Sequence, residues 1–168
     1  TLIDASELAT LSTVAGTGAG SGAGLDAPIL AASIYLGDAD LELIASLLIE
    51  RRFARGTTIV EEGLAGDYMY VIREGRVKVT KLSDEGREKI LNFLETGGFF
   101  GEISFFDPGP ASATIRAMGK GSLCEICRED FFKLIEQQPA LGCKILTRMM
   151  HEMANRLRRV DQRLGASV

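Results

Sequence analysis

A single histidine, His151, stands in a chain of 168 residues. Metal-dependent barrel enzymes hold their ion with several histidines and a carboxylate converging on one point. Ser-His and Cys-His catalysis likewise needs an imidazole beside its nucleophile. His151 lies in a helical stretch among charged residues, where it reads as a surface or interface histidine. The adjacent carboxylates Glu61 and Glu62 fall at a hairpin turn rather than in a converging pair. No catalytic residue and no metal ligand is therefore expected, and the chain does not read as an enzyme.

Cysteine is scarce as well, with three in all. Cys124 and Cys127 form a Cys-x-x-Cys pair, but the third, Cys143, lies on a following helical segment, and no second pair completes a metal-ligand set. In an extended strand, positions three apart face opposite sides, so the two thiols of the pair point apart and read as structural. The chain also lacks any unbroken run of eighteen or more apolar residues, as a membrane span needs, and its N-terminus lacks the basic start of a signal peptide. A cytoplasmic, reducing location is the expectation.

Charge is present but uneven. From Lys144 to Val168 there are six basic and two acidic side chains, a balance of +4, and the remainder carries −8. The basic end is helical in pattern: Leu146, Met149, Met153, Leu157, Val160 and Leu164 recur at steps of three and four, with Arg148, Arg156, Arg158, Arg159 and Arg163 mostly around them. A basic amphipathic helix can bind nucleic acid or an acidic membrane, yet a charged flank of this kind reads first as a solvated face.

Residues 1–33 form a separate region, with Gly16, Gly18, Gly20, Gly22 and Gly24 at every second position among Ala, Ser and Thr, a flexible linker composition. No Lys-Ser/Thr follows, as a phosphate loop requires, and the spacing misses the dinucleotide fingerprint. Asp4 to Leu11 could form a short helix. From Asp38 a helix is predicted, with Leu41, Ile44, Ala45, Leu48 and Ile49 on one face, closing near Gly56. Short strands follow: Arg76 to Thr80 alternates, Asp84 to Gly86 makes a hairpin turn, and Lys89 to Leu94 returns apolar. Ala113 to Ala117 and Leu123 to Cys127 are further strands, then Asp130 to Gln137 a helix. The pattern predicts a mainly β chain with flanking helices (α+β): a β-roll, closed like a jelly roll, with a helix before it and a long helix at its C-terminal end. The expected divisions are a linker at 1–33, the roll with its flanking helices at 34–138 and the long helix at 139–168.

The run from Phe99 to Ala117 carries the chemistry. Phe99 and Phe100 end a strand, Gly101 lets backbone come close to a ligand, and the residues after it open a short helix whose first N–H groups lack intrahelical partners. Glu102 offers a carboxylate to a hydroxyl. This run resembles the phosphate-binding cassette of the cyclic nucleotide-binding domain, the sensor module of catabolite activators, kinase regulatory subunits and gated channels. Gly101, Glu102, Ser104, Ser112, Ala113 and Thr114 fit the family pattern, while Ala111 stands where the family carries its phosphate-pairing arginine. Ile59 to Gly75 is similar to the family's first block, a strand, a glycine turn at Gly63 and Gly66, and a strand. Roughly Gly37 to Leu164 can be laid on the family.

The resemblance implies a regulatory, signal-sensing module that binds a cyclic nucleotide (cyclic AMP or cyclic GMP) or a related phosphorylated effector. Its site would be Phe100, Gly101, Glu102, Ile103, Ser104, Ala111, Ser112 and Ala113, with Glu102 accepting from the ribose 2′-hydroxyl and the Gly101 to Ser104 backbone and Ser112 facing the phosphate. Leu157, Val160 and Asp161 would cap the base. The final helix would cover the ligand and pair two subunits as a homodimer. Gas-sensing relatives need an axial histidine or cysteine near the pocket, for which His151 and Cys143 are candidates only in name. The family's bacterial transcription factors add a helix-turn-helix after the long helix; with this chain ending at Val168, direct DNA binding by it is not expected. Alanine cannot make the bidentate contact of arginine, so the alternative is a degenerate member, a dimerising scaffold without nucleotide affinity.

Overall fold

The computed structural model describes residues 38–165. The predicted linker at 1–33 and the short helix at Asp4 to Leu11 lie outside the described residues. Helix α1 (Asp38–Leu47) leads into strand β1 (Ile49–Phe53), and then come β2 (Thr58–Val60), β3 (Tyr68–Glu74), β4 (Arg76–Leu82), β5 (Glu88–Glu95) and β6 (Phe99–Phe100). The short helix α2 (Glu102–Phe106) is followed by β7 (Thr114–Ala117), β8 (Gly121–Cys127), α3 (Arg128–Gln137) and α4 (Pro139–Gly165).

The helix expected to run from Asp38 to near Gly56 ends nine residues sooner, at Leu47. Ile49 is not on its face; it opens β1, whose residues 49–53 pair antiparallel with 125–121 of β8. The stretch Ile49-Glu50-Arg51-Arg52-Phe53 suits a period of two as well as 3.6, and hydrogen bonding to the exposed edge of β8 decides for the strand.

Among the described residues the strands form two four-stranded antiparallel sheets, ordered β1-β8-β3-β6 and β2-β7-β4-β5. This is the roll that the spacing of short strands predicts. Alternation splits the core in two. One face of the first sheet turns Phe53, Ile72, Phe100 and Leu123 toward Val77, Ile115 and Ala117 of the second. Its other face turns Met69, Phe99, Cys124 and Ile126 toward the helices, where they meet Phe105, Phe131 and Met149. Each such large side chain taken fully from water stabilises by about 1.5–3 kcal/mol. Cys124 is buried and Cys127, the last residue of β8, only partly so.

The apolar stripe of α4 does two jobs. Met149 is buried and Leu146 packs beside it against the helix-side core, but further along Met150, Met153, Leu157 and Val160 are exposed. No helix among the described residues is long and apolar enough to cross a membrane.

Candidate functional site

The cassette is built on close backbone contacts. Gly101 caps α2 with φ +88°, in the left-handed region, and a Cβ there would stand 2.7 Å from the Tyr68 carbonyl oxygen. Only glycine satisfies both conditions. A Cβ on Gly66 would collide with the Ser104 side chain, so the turn between β2 and β3 also lies against α2. Phe105, fully buried, locks the helix down by edge-to-face contact with Phe131 of α3 at 5.3 Å between ring centres.

Ala111 is held from both sides of the chain: its N–H donates to Leu64 O at 2.7 Å and its carbonyl accepts from Gly63 N–H at 2.9 Å. It is 6% exposed and lines a cavity of about 150 Å³. That cavity brings together Phe100, Gly101, Glu102, Ile103, Ser104, Ala111, Ser112 and Ala113, so the two halves of the expected site face one space. Typical small-molecule pockets are larger, roughly 300–1,000 Å³.

Part of that space is taken by a residue the sequence did not single out as a site residue. Arg156 of α4 donates from Nη1 to Glu102 Oε1 at 2.9 Å and from Nη2 to the Phe99 carbonyl, and its guanidinium lies 4.2 Å from the centre of the Phe99 ring. The Arg156 and Glu102 side chains are 25% and 12% exposed. The carboxylate expected to take a sugar hydroxyl is thus already paired, and among the described residues the one cation that lines the cavity comes from the long helix rather than from position 111. Its signal in the sequence was an arginine within the apolar stripe, between Met153 and Leu157.

Other expected residues lie elsewhere. Leu157, Val160 and Asp161 are exposed on the following turns of α4 and do not line the cavity in a single chain. Val60, Val79, Leu94 and Ile115, from the second sheet and its approach, supply apolar lining that the motif did not indicate, and Asn92 adds a polar group. Arg116, the nearest cation in sequence to Ala111, lines a separate cavity outside this one. His151 and Cys143 are exposed on α4 and line neither, and among the described residues no three His, Cys, Asp or Glu side chains cluster as a metal site.

Comparison with known proteins gives this geometry its context. The CRP-like cAMP-activated global transcriptional regulator of Mycobacterium tuberculosis is 32% identical over 113 residues, 67% of this chain and 49% of the regulator. The chain thus spans about half the length of that relative. The N-terminal domain of a transcriptional regulator from Streptomyces coelicolor superposes with a TM-score of 0.63 at 32% identity, covering 76% of this chain and 88% of that one. For the fold alone, a cyclic nucleotide-binding domain from Methylobacillus flagellatus gives a TM-score of 0.75 at 24% identity over 79% of this chain and 75% of its own. A family model described as the cyclic nucleotide-binding domain matches residues 50–138, which contain every strand of the roll but the first residue of β1, together with both arms of the cassette. By its sequence over that span as well as by its fold, the chain belongs to the cyclic nucleotide-binding domain family.

Proposed function

We propose that the chain is a non-catalytic regulatory module that takes a cyclic nucleotide, or a related phosphorylated effector, into the cassette cavity and reports its presence through α4. The observation that carries this reading is the ion pair between Glu102 and Arg156. A ligand hydroxyl that engages Glu102 competes with a guanidinium rooted in the long helix, so occupancy and helix position are linked. An effector shifts that balance only by its preference for one helix position. Relatives described as cAMP-activated supply the ligand class. In this reading residues 34–138 hold the effector, residues 139–168 relay it and pair two copies, and Leu157, Val160 and Asp161 cap the base when α4 closes.

Ala111 favours a second reading, a degenerate member that serves as a dimerising scaffold. Removing one charged partner from a buried pair costs about 2–5 kcal/mol, which is roughly thirty- to several-thousand-fold in affinity. Calorimetric titration of cyclic AMP, cyclic GMP and cyclic dinucleotides into the wild type and into Ala111→Arg separates the two. Micromolar binding by the wild type refutes the degenerate reading. Binding by the arginine variant alone shows an intact but discharged pocket, and binding by neither removes the support for Glu102 as a sugar contact.

A further inference from the structure

Arg128, the first residue of α3, makes more polar contacts than the sensing chemistry above requires. Its Nε donates to Phe105 O at 2.9 Å, and its Nη2 donates to Gly66 O at 2.9 Å and to Ser104 O. Its Nη1 pairs with Asp67 Oδ1 at 3.0 Å, and its backbone N–H donates to Asp67 O at 2.8 Å. One guanidinium therefore joins three parts of the chain that are distant in sequence: the turn before β3, the C-terminal half of α2, and the start of α3.

These contacts answer a specific need. Helix α2 has five residues, too short to satisfy its own last carbonyls, and the last carbonyls of any helix lack intrahelical donors. Two of the acceptors of Arg128, Ser104 O and Phe105 O, are such groups. The planar fork of a guanidinium can serve several carbonyls at fixed angles, whereas an ammonium on a flexible stem acts as a point charge. The side chain is 23% exposed, so the carbonyls it serves are largely shielded from competing water.

We infer that Arg128 is a positioning residue that fixes α2, and with it the Gly101 to Ser104 edge of the cavity, as one rigid unit with α3. The ion pair with Asp67 is secondary, because Asp67 is 61% exposed and such pairs contribute little. The carbonyl fork is the functional part. Where the sensing reading holds, this unit is what carries a displacement of the cassette into the α3–α4 segment. The coupling itself rests on that reading, but the fixing of α2 does not.

Amide hydrogen exchange on the ligand-free full chain tests the fixing directly, with the Phe105 and Asp107 amides as reporters, since these donate to Gly101 O and Ile103 O within α2. Arg128→Gln and Arg128→Lys should both raise exchange at these amides about tenfold or more relative to the strands, while Asp67→Asn should change it less than threefold. Lysine is the decisive variant because it keeps the charge and loses the fork. Exchange in Arg128→Lys equal to the wild type, or a rise spread evenly over the strands in every Arg128 variant, overturns the inference. A second arm places Arg128→Lys in the Ala111→Arg background, where cyclic AMP affinity should fall about tenfold from that of Ala111→Arg alone. If neither the wild type nor Ala111→Arg binds a nucleotide, the sensing reading fails while the exchange result still decides the role of Arg128.

Discussion

Arg156 and Glu102 meet at 2.9 Å across fifty-four positions of sequence, and they join the last helix to the first residue of the cassette helix. The two partners are not equivalent. Arg156 keeps the Phe99 carbonyl and ring if Glu102 is lost, whereas Glu102, at 12% exposed, has among the described residues no other ion-pair partner if Arg156 is lost.

Arg156→Gln should therefore destabilise the fold by about 1.5–3 kcal/mol, the range for a hydrogen bond to a charged group, and Glu102→Gln by about 0.5–1.5 kcal/mol. Urea unfolding at neutral pH measures both. Equal losses in the two variants would contradict the asymmetry, and a double-mutant cycle with no coupling would contradict the pair itself.

Gly101 and Gly86 share a positive φ, +88° and +74°, but only Gly101 is crowded, with Tyr68 O 2.7 Å from where a Cβ would stand. A Cβ on Gly86, in the β4–β5 turn, would meet nothing within 4 Å. Gly86→Ala should cost about 1 kcal/mol from the left-handed backbone alone, and Gly101→Ala about 3 kcal/mol or more, because backbone strain and a clash with backbone combine. Thermal unfolding of the two variants gives the comparison, and similar midpoints would show that the cassette can yield where the geometry says it cannot.

The two glycines also mark which features are local to the sequence. Gly86 was legible as a hairpin turn from Asp84 to Gly86, and the cassette from Phe99 to Ala117, because a turn residue and a motif are local properties. The end of α1 was not. Leu48 and Ile49 continue a helical stripe perfectly well, and what removes Ile49 from it is a pairing partner at Glu125, far along the chain. The role of Arg156 is not legible for a similar reason: it depends on how α4 lies against the cassette, which periodicity does not specify.

Tyr70 stacks on Phe100 with 5.0 Å between ring centres, and burial, followed by the nearby Glu125 charge, raises its pKa above the usual tyrosine value. A group whose folded pKa lies above its unfolded one contributes stability that is whole below the unfolded value, about 10 for tyrosine, and is lost as pH climbs through the folded value. Tyr70→Phe keeps the ring and removes the proton. The wild type should lose more stability than Tyr70→Phe as pH rises above about 10, read as urea midpoints across that window. Parallel curves would mean that the half-buried Tyr70 phenol is not what titrates.

The exposed side chains Met150, Met153, Leu157 and Val160 on α4 are spaced three, four and three, the repeat of a coiled-coil seam. Upstream, the same stripe is covered by the core, with Met149 7% exposed, but Leu157 is left 63% exposed. A helix of twenty-seven residues that outruns the body it packs on needs a second surface to cover that half of its stripe. A second copy would supply a matching stripe, since a two-fold contact sets the same patch against itself. Fully burying each of these side chains would contribute about 1.5–3 kcal/mol. Leu157→Glu combined with Val160→Glu alters only exposed positions and leaves Arg156 and Met149 in place, so it should halve the mass seen by light scattering while the thermal unfolding of the roll persists. A wild type already at monomer mass, or a double variant that keeps the dimer, would reject the seam.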